Sequence, residues 1–291
     1  MDMWKQYFIP ENLGAALRLL NKFGDRARLI AGGTDLVLDF SNGKFPEIEA
    51  VVDISCLPEL RGIRLEGDVL KIGAAVTLTE IISSELIRSS APILIDAARQ
   101  IAGPQIRNSA TIGGNVANAS PAADMVPPLL ALGALVQTID LAEDMRQIPL
   151  EDFLLGNRRV DLGVGEILTG LQFKTLGPGM QSYFRKVQPR RSNAIAMLNL
   201  ALMLRVETGQ LQDVRIAMGA VAPTAVRLHG LERQLAGLPI DEASEPGRYR
   251  QVRMEIAPIT DFRASRHYRL RVAQNLVQEA VAALLDKCMI S

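Results

Sequence analysis

Two short stretches of this sequence pair glycines with small hydroxyl and amide side chains, and both suit close approach to an anion. The first is Leu29-Ile30-Ala31-Gly32-Gly33-Thr34-Asp35-Leu36. The second is Thr111-Ile112-Gly113-Gly114-Asn115, inside a longer run of small residues from Gly103 to Asp124. Glycine removes the Cβ that holds a backbone away from a ligand, and it takes up φ values other residues avoid. Consecutive free N–H groups in such a loop can wrap a pyrophosphate. Each stretch follows an apolar run, so two loops far apart in the chain are expected to act as two jaws on one phosphate-bearing ligand.

Neither pair is a Gly-x-Gly-x-x-Gly fingerprint, and no Gly-x-x-x-x-Gly-Lys-Ser/Thr phosphate loop is present, which disfavours ordinary Rossmann and kinase-type sites. The polar side chains around the loops each carry two readings. Thr34 and Thr111 either donate a hydroxyl to phosphate or cap a helix. Asn115 and Asn118 either hold ribityl or phosphate oxygens or stabilise turns. Asp124 either accepts hydrogen bonds from ligand hydroxyls or is the N-cap ahead of Met125. Arg185 and Lys186 precede Pro189-Arg190-Arg191. Arg190 and Arg191 read as a solvated face, whereas Lys186 has the charge to stabilise the reduced anion of an electron-rich ring. Met197, Met203 and Met218 sit in strand patterns and read as core.

Lysine plus arginine and aspartate plus glutamate number 32 each in 291 residues, so bulk charge makes no case for nucleic acid or an anionic membrane. No apolar stretch escapes interruption by Gly, Pro or charge, so no membrane span is expected. Met1-Asp2-Met3-Trp4-Lys5-Gln6 lacks a secretory pattern, and the cytoplasm is the expected location. Cys56 and Cys288 have no cysteine neighbour, which argues against an iron–sulfur cluster within the chain. His229 and His267 are isolated, so no transition-metal site is expected. Redox chemistry here would need an organic cofactor.

Apolar periodicity and turn signals place these stretches in an α+β chain. A helix is expected over 10–23, with Leu13, Ala16, Leu17 and Leu20 on one face and Gly24 as its stop. A strand over 28–30 feeds the first glycine pair, and another follows over 51–54. Gly67-Asp68 marks a hairpin between 63–65 and 69–72. Helices are expected over 79–87, begun by Thr77 or Thr79 and carrying Glu80, and over 92–101. The small-residue loop follows, then a helix over 124–132 with Pro127 and Pro128 in its first turn. Strands over 135–140, 147–150 and 167–173 lead to Thr175-Leu176-Gly177-Pro178-Gly179, the expected domain boundary. Beyond it come strands over 181–187, 194–206 and 214–220, then helices over 227–235, 246–256 and 269–286.

Together, Ala31 to Leu36, Gly103 to Asn115 and Asn118 to Asp124 resemble the FAD-binding medium subunit of the molybdenum hydroxylases, the xanthine dehydrogenase and carbon monoxide dehydrogenase family. Met218-Gly219-Ala220-Val221-Ala222-Pro223-Thr224-Ala225-Val226-Arg227 and Asp261-Phe262-Arg263-Ala264-Ser265-Arg266-His267-Tyr268-Arg269 are similar to the bacterial xanthine dehydrogenase flavin subunit. The likeness spans nearly the whole chain. It implies a vanillyl-alcohol-oxidase-type FAD-binding domain over 1–175, with subdomains of about 1–56 and 57–175, then a C-terminal α/β domain over 180–291 with a three-stranded sheet and helices.

The resemblance also implies roles. Leu29, Ile30, Ala31, Gly32, Gly33, Thr34, Asp35 and Leu36 would hold the FAD pyrophosphate from one side. Thr111, Ile112, Gly113, Gly114 and Asn115 would hold it from the other. Asp124 would bind cofactor hydroxyls, Ile101 and Leu168 would flank the cofactor, and Lys186 would lie near the flavin ring. Many relatives carry an acidic residue where this chain has Ala194, and some insert a cysteine-rich loop that this chain lacks. A large molybdopterin subunit would oxidise substrate with water as the oxygen source. A small subunit with two clusters of the 2Fe–2S type would pass electrons to FAD here, for delivery to NAD⁺ or another acceptor. The assembly implied is a dimer of heterotrimers, with no acid or base required from this chain. The likeness favours a purine such as xanthine as the substrate. A free-standing flavin oxidoreductase with a pocket in its C-terminal domain is the competing reading, and a non-catalytic nucleotide-binding or scaffold protein is a third.

Overall fold

The computed structural model describes residues 4–190, 193–243 and 245–290. Three sheets carry the architecture. Gln6–Phe8, Ala50–Asp53 and Ala27–Ile30 form a small parallel sheet with Ala50–Asp53 in the middle. The helix Leu13–Phe23 covers it, burying Ala16, Leu17, Leu20 and Phe23, and starts where Asn12 Oδ1 accepts from the Ala15 N–H at 2.9 Å. The second sheet is antiparallel, in the order Ile63–Glu66, Val69–Gly73, Ile167–Lys174, Leu135–Ile139, Met145–Pro149. The third is also antiparallel and contains Gln181–Val187, Leu198–Glu207, Gln210–Gly219 and the short Val226–Arg227. The three long strands expected here are thus joined by a two-residue fourth, too short to leave a periodic signal.

The third sheet is buried on both faces, and the period-two alternation of strand side chains sorts its residues between two cores. Leu198, Leu200, Leu202 and Leu204 join the C-terminal helices, packing with Leu276, Val277, Ala280 and Leu284. Ala201, Met203 and Ala217 face the other way, into the core that holds Ile72, Ile93, Leu129 and Leu171. Asn199 and Lys186 share that second face by the same alternation. They are direct cross-strand partners, and Gly219 is the next partner along the row.

Gly219 leaves room for a chain to cross. A Cβ there would lie 2.3 Å from Asn199 Oδ1 and 3.1 Å from the Pro121 carbonyl oxygen. The neighbouring Ala220 N–H donates to that same oxygen at 2.6 Å. The segment ending in Asp124 is therefore seated on a polar row of the sheet, and the wholly buried helix Val126–Ala131 continues from it.

Several expected elements differ. The run over 79–87 is two helices, Leu78–Ser83 and Glu85–Ser90, because the Ser84 hydroxyl accepts from the Ile87 N–H and starts a new one. Thr77 and Glu80 form a reciprocal cap at the first. The small-residue stretch contains helices Pro104–Ser109 and Ile112–Ala117 rather than a continuous loop. The stretch after Asp35 forms the helix Leu36–Ser41. The run over 246–256 begins as a 3-10 turn, Pro246–Gln251, and the last helix extends over Arg266–Ile290. The segment 175–179 is held by hydrogen bonds from Thr175 N–H to Asp68 and from Leu176 N–H to Ser90.

Replacing Gly219 with valine is expected to destabilise the fold by about 2 kcal/mol through overpacking against the Pro121 segment. Urea unfolding tests this, and an unchanged midpoint would mean that the segment does not rest on this row.

Candidate functional site

The two glycine stretches meet. A Cβ on Gly32 would fall 1.8 Å from the Ser109 carbonyl oxygen and 3.0 Å from Ala110 Cα, so the first loop lies directly against the approach to the second. Gly33 adopts φ +67°, where a side chain would be strained and would crowd Ile30 and Val37. This turn leads out of the strand Ala27–Ile30, whose pairing ends with Ile30 opposite Asp53. From Ala31 to Leu36 the backbone N–H groups have no acceptor among the described residues.

The second loop is built differently. Ile112 N–H donates to Val76 and Gly113 N–H to Ala74, each at 2.9 Å. Gly114 N–H donates to Thr111 Oγ1 at 3.1 Å, and Asn115 N–H to the Thr111 carbonyl. Four of its donors are therefore already used, and the capping alternative is the one Thr111 adopts. What this loop offers is a bare face and an amide. Gly114 is exposed, and an added Cβ would meet only Thr111 Oγ1, at 2.9 Å. The buried Asn115 Oδ1 has no hydrogen-bond partner. Gly113 serves the fold, because its Cβ would lie 2.6 Å from Ala74.

Between the loops lies a cleft of about 760 Å³, within the usual range for small-molecule sites. Leu29 to Leu36 line it on one side, and Thr111, Gly114 and Asn115 on the other. Ile112 and Gly113 support it from behind. The sequence reading missed Asp39, Lys44, Arg158 and Glu166 on its walls. Arg158 Nη1 donates to Asp39 Oδ2 at 2.8 Å and to Asn118 Oδ1 at 3.2 Å, and Lys44 also pairs with Asp39. Burial alone would raise the Asp39 carboxyl, but Lys44 and Arg158 hold it below its ordinary value. Glu166 accepts from Arg146, Thr138 and the Gly163 N–H, fixing the rim at Gly163 to Gly165. Asp39, one turn beyond Asp35, carried a weak helical-spacing signal. Arg158 carried none, because its partners come from distant segments.

Ile101, Asp124, Leu168 and Lys186 do not line this cleft. Asp124 and Lys186 meet at the seam between the core that holds Leu171 and the third sheet, and Ile101 and Leu168 belong to that core itself. Lys186 Nζ donates to Asp124 Oδ2 at 2.7 Å and to the Gln100 carbonyl at 3.2 Å. Asn199 Nδ2 donates to Asp124 Oδ1 at 2.7 Å. Gln100 immediately precedes Ile101, which packs against the core that includes Leu168. Asp124 is not an N-cap: Met125 precedes the helix and no side chain caps it. Burial pushes the Asp124 carboxyl above its ordinary value, against the opposing pull of Lys186 and Asn199. Arg190 is exposed, and Arg191 lies outside the described residues.

Residues 3–173 match the model of the FAD binding domain in molybdopterin dehydrogenase, and 182–284 match the CO dehydrogenase flavoprotein C-terminal domain. The chain belongs to the molybdopterin dehydrogenase flavoprotein family. It is 30% identical to the carbon monoxide dehydrogenase medium chain of Hydrogenophaga pseudoflava, over 97% of this chain and 98% of that one. It is 33% identical to the xanthine dehydrogenase FAD-binding subunit of Escherichia coli O157:H7, over 95% and 96%. A solved carbon monoxide dehydrogenase from H. pseudoflava that lacks the Mo-pyranopterin moiety superposes with a TM-score of 0.93 at 30% identity, covering 98% of each chain.

As a flavoprotein of this family, the chain fits FAD at the diphosphate. The free N–H run of Ala31 to Leu36 and the open face of Gly114 are the donors and the space a diphosphate needs, and the orphaned Asn115 Oδ1, an acceptor, suits a hydroxyl elsewhere on the cofactor. Among the described residues no three His, Cys, Asp or Glu side chains group as a metal site, and no helix is long and apolar enough to cross a membrane.

The Asp124–Lys186 pair makes a sharp prediction. Lys186→Met leaves a buried carboxylate without its cation and is expected to destabilise by about 3–5 kcal/mol near neutral pH. Asp124 has a raised pKa in the fold, so ionising it costs stability from its ordinary value upward, and the cost is complete above the raised value. The variant's deficit should therefore shrink as pH falls through the raised value and be smallest below about pH 4, where the carboxyl is protonated in both states. Asp124→Leu/Lys186→Met should lose less than the two single variants summed. Urea denaturation of all four proteins against pH measures both effects, and a pH-independent, additive result would contradict them.

Proposed function

We propose that this chain is the FAD-carrying electron-transfer subunit of a xanthine dehydrogenase-like molybdenum hydroxylase. Its partners are a large molybdopterin-binding subunit and a small 2Fe–2S subunit, assembled as a dimer of heterotrimers in the cytoplasm. Residues 1–175 form the FAD-binding domain, with subdomains of about 1–56 and 57–175, and 180–291 form the C-terminal domain. The observation that carries the reading is the apposition of Gly32 with Ser109, which places free backbone donors and the orphaned Asn115 amide oxygen across one cleft.

Bound FAD supplies a carrier that takes electrons from iron–sulfur clusters and returns them to NAD⁺ or another acceptor. The chain's own task is placement. Ala31 to Leu36 and Thr111 to Asn115 grip the diphosphate, with Ile112 and Gly113 holding the second loop to Val76 and Ala74. Ile101 and Leu168 give the ring an apolar flank that excludes water. Asp124 accepts from cofactor hydroxyls, and Lys186, tethered beside it, sets positive charge near the ring. No residue here acts as acid or base on the substrate, which the partner subunit holds; a purine such as xanthine is the substrate class proposed.

Gly114→Trp tests the reading, because this position opens onto the cleft while Ile112 and Gly113 are bonded to the fold behind it. The added Cβ displaces the Thr111 hydroxyl, which would stand only 2.9 Å away, at a small cost in stability. The variant is expected to keep its fold, checked by circular dichroism, yet lose at least 90% of its flavin absorbance, a tenfold loss from filling the space the diphosphate needs. In the wild-type protein, anaerobic NADH should bleach the flavin. Full flavin content in Gly114→Trp would overturn the site, and an unbleached wild-type flavin would exclude NAD⁺ as acceptor.

A further inference from the structure

The short helix Val252–Glu255 and the segment joining it to the final helix hold large apolar side chains in solvent. Met254 is 80% exposed, Ile259 66% and Phe262 93%. Single exposed apolar residues are ordinary, but three within nine positions of the chain call for an explanation.

The segment is also braced. Asp261 Oδ1 accepts from the backbone N–H groups of Arg263 and Ala264 and from Arg269 Nη2, while Oδ2 accepts from Arg263 Nε and Nη2. Burial alone would raise this carboxyl, but these donors bring it down to about 2. Arg269 is buried and ties the turn to the Ala220 carbonyl at 2.6 Å. Ala257 N–H donates to Val221, and Arg266 N–H to Thr260 Oγ1. The Arg263 guanidinium lies 5.3 Å from the Phe262 ring centroid. Phe262 is thus an aromatic knob on a fixed turn, the kind of pre-ordered anchor that dominates protein interfaces.

Its surroundings are basic. Residues 248–271 carry seven arginines against two acids, in a chain whose overall charge balances. Asp261 is neutralised as described, and Glu255 accepts from the Gly230 and Leu231 N–H groups. Arg250, Arg253, Arg266 and Arg271 are exposed, and none pairs with a carboxylate among the described residues.

We infer that Phe262, with Ile259 and Met254, docks into an apolar socket rimmed by carboxylates on a partner subunit of the complex proposed above. This inference rests on that proposal for the existence of a partner. A rigid knob with a basic rim suits a shaped acidic socket better than a lipid surface, which needs no fixed turn.

The test uses the complex purified through an affinity tag on this chain. A photo-crosslinking benzoyl-phenylalanine at position 262 should label another subunit, at a peptide bearing acidic residues. The same probe at Met145, exposed on the edge of another sheet, should not. Phe262→Asp should retain its flavin and fold but recover partner subunits at least tenfold less well, the scale of an interface anchor. Phe262→Leu should restore most of that recovery. Full partner recovery by Phe262→Asp would overturn the inference while leaving the complex intact. So would crosslinks only between copies of this chain, or flotation of the wild type but not Phe262→Asp with phosphatidylglycerol vesicles. A wild-type protein that purifies alone with its flavin would overturn the complex itself, and the docking site with it.

Discussion

One close approach controls the geometry of this protein. The carbonyl of Ser109 occupies the space that a side chain at position 32 would need. Because Gly32 has none, two segments nearly eighty residues apart share a cleft. Everything assigned to the site depends on that contact. The free N–H groups of one loop and the bare face of the other come within reach of a single group only when the loops touch. A cleft held this way has one wall that donates from backbone and another that offers space, with the Asn115 acceptor left for a ligand hydroxyl. Such a division suits a diphosphate, whose oxygens need several donors and whose bulk needs a bare surface.

A second constraint joins this cleft to the C-terminal sheet. Strand alternation splits Leu198–Glu207 between two cores, and it thereby turns Asn199 toward the segment that ends in Asp124. Lys186 and Gly219 flank Asn199 in register. The row presents, in order, a cation, an amide and a gap. Asp124 meets the first two, and the Pro121 backbone enters the third. The seam is therefore polar where it binds Asp124 and apolar elsewhere, which fixes the relation of sheet to core more narrowly than apolar packing alone.

Much of this was legible in the residues. Both glycine pairs, the Gly67-Asp68 hairpin, the long strands of the third sheet and the α+β class follow from local pattern. The family likeness rested on combined motifs that the comparisons bear out. What was not legible depends on partners far away in sequence. The N–H groups of Ile112 and Gly113 looked free, yet the backbone after the strand Val69–Gly73 takes them. Asp124, as a ligand contact or an N-cap, and Lys186, as a charge near a ring, were read separately, and their pairing with each other carried no local signal. Arg158 has no local signal because Asp39 and Asn118 give it its place. Ser84 is different: its cap on a new helix was a local signal, overridden by the apolar period running through it.

The most direct measurement is a crystal structure of this chain with FAD bound. Diphosphate oxygens within hydrogen-bonding distance of the Gly32 to Asp35 N–H groups, with the Asn115 side chain on the opposite wall, are the expected result. A flavin held elsewhere while the Gly32–Ser109 contact stays closed and its cleft empty would contradict the assignment outright.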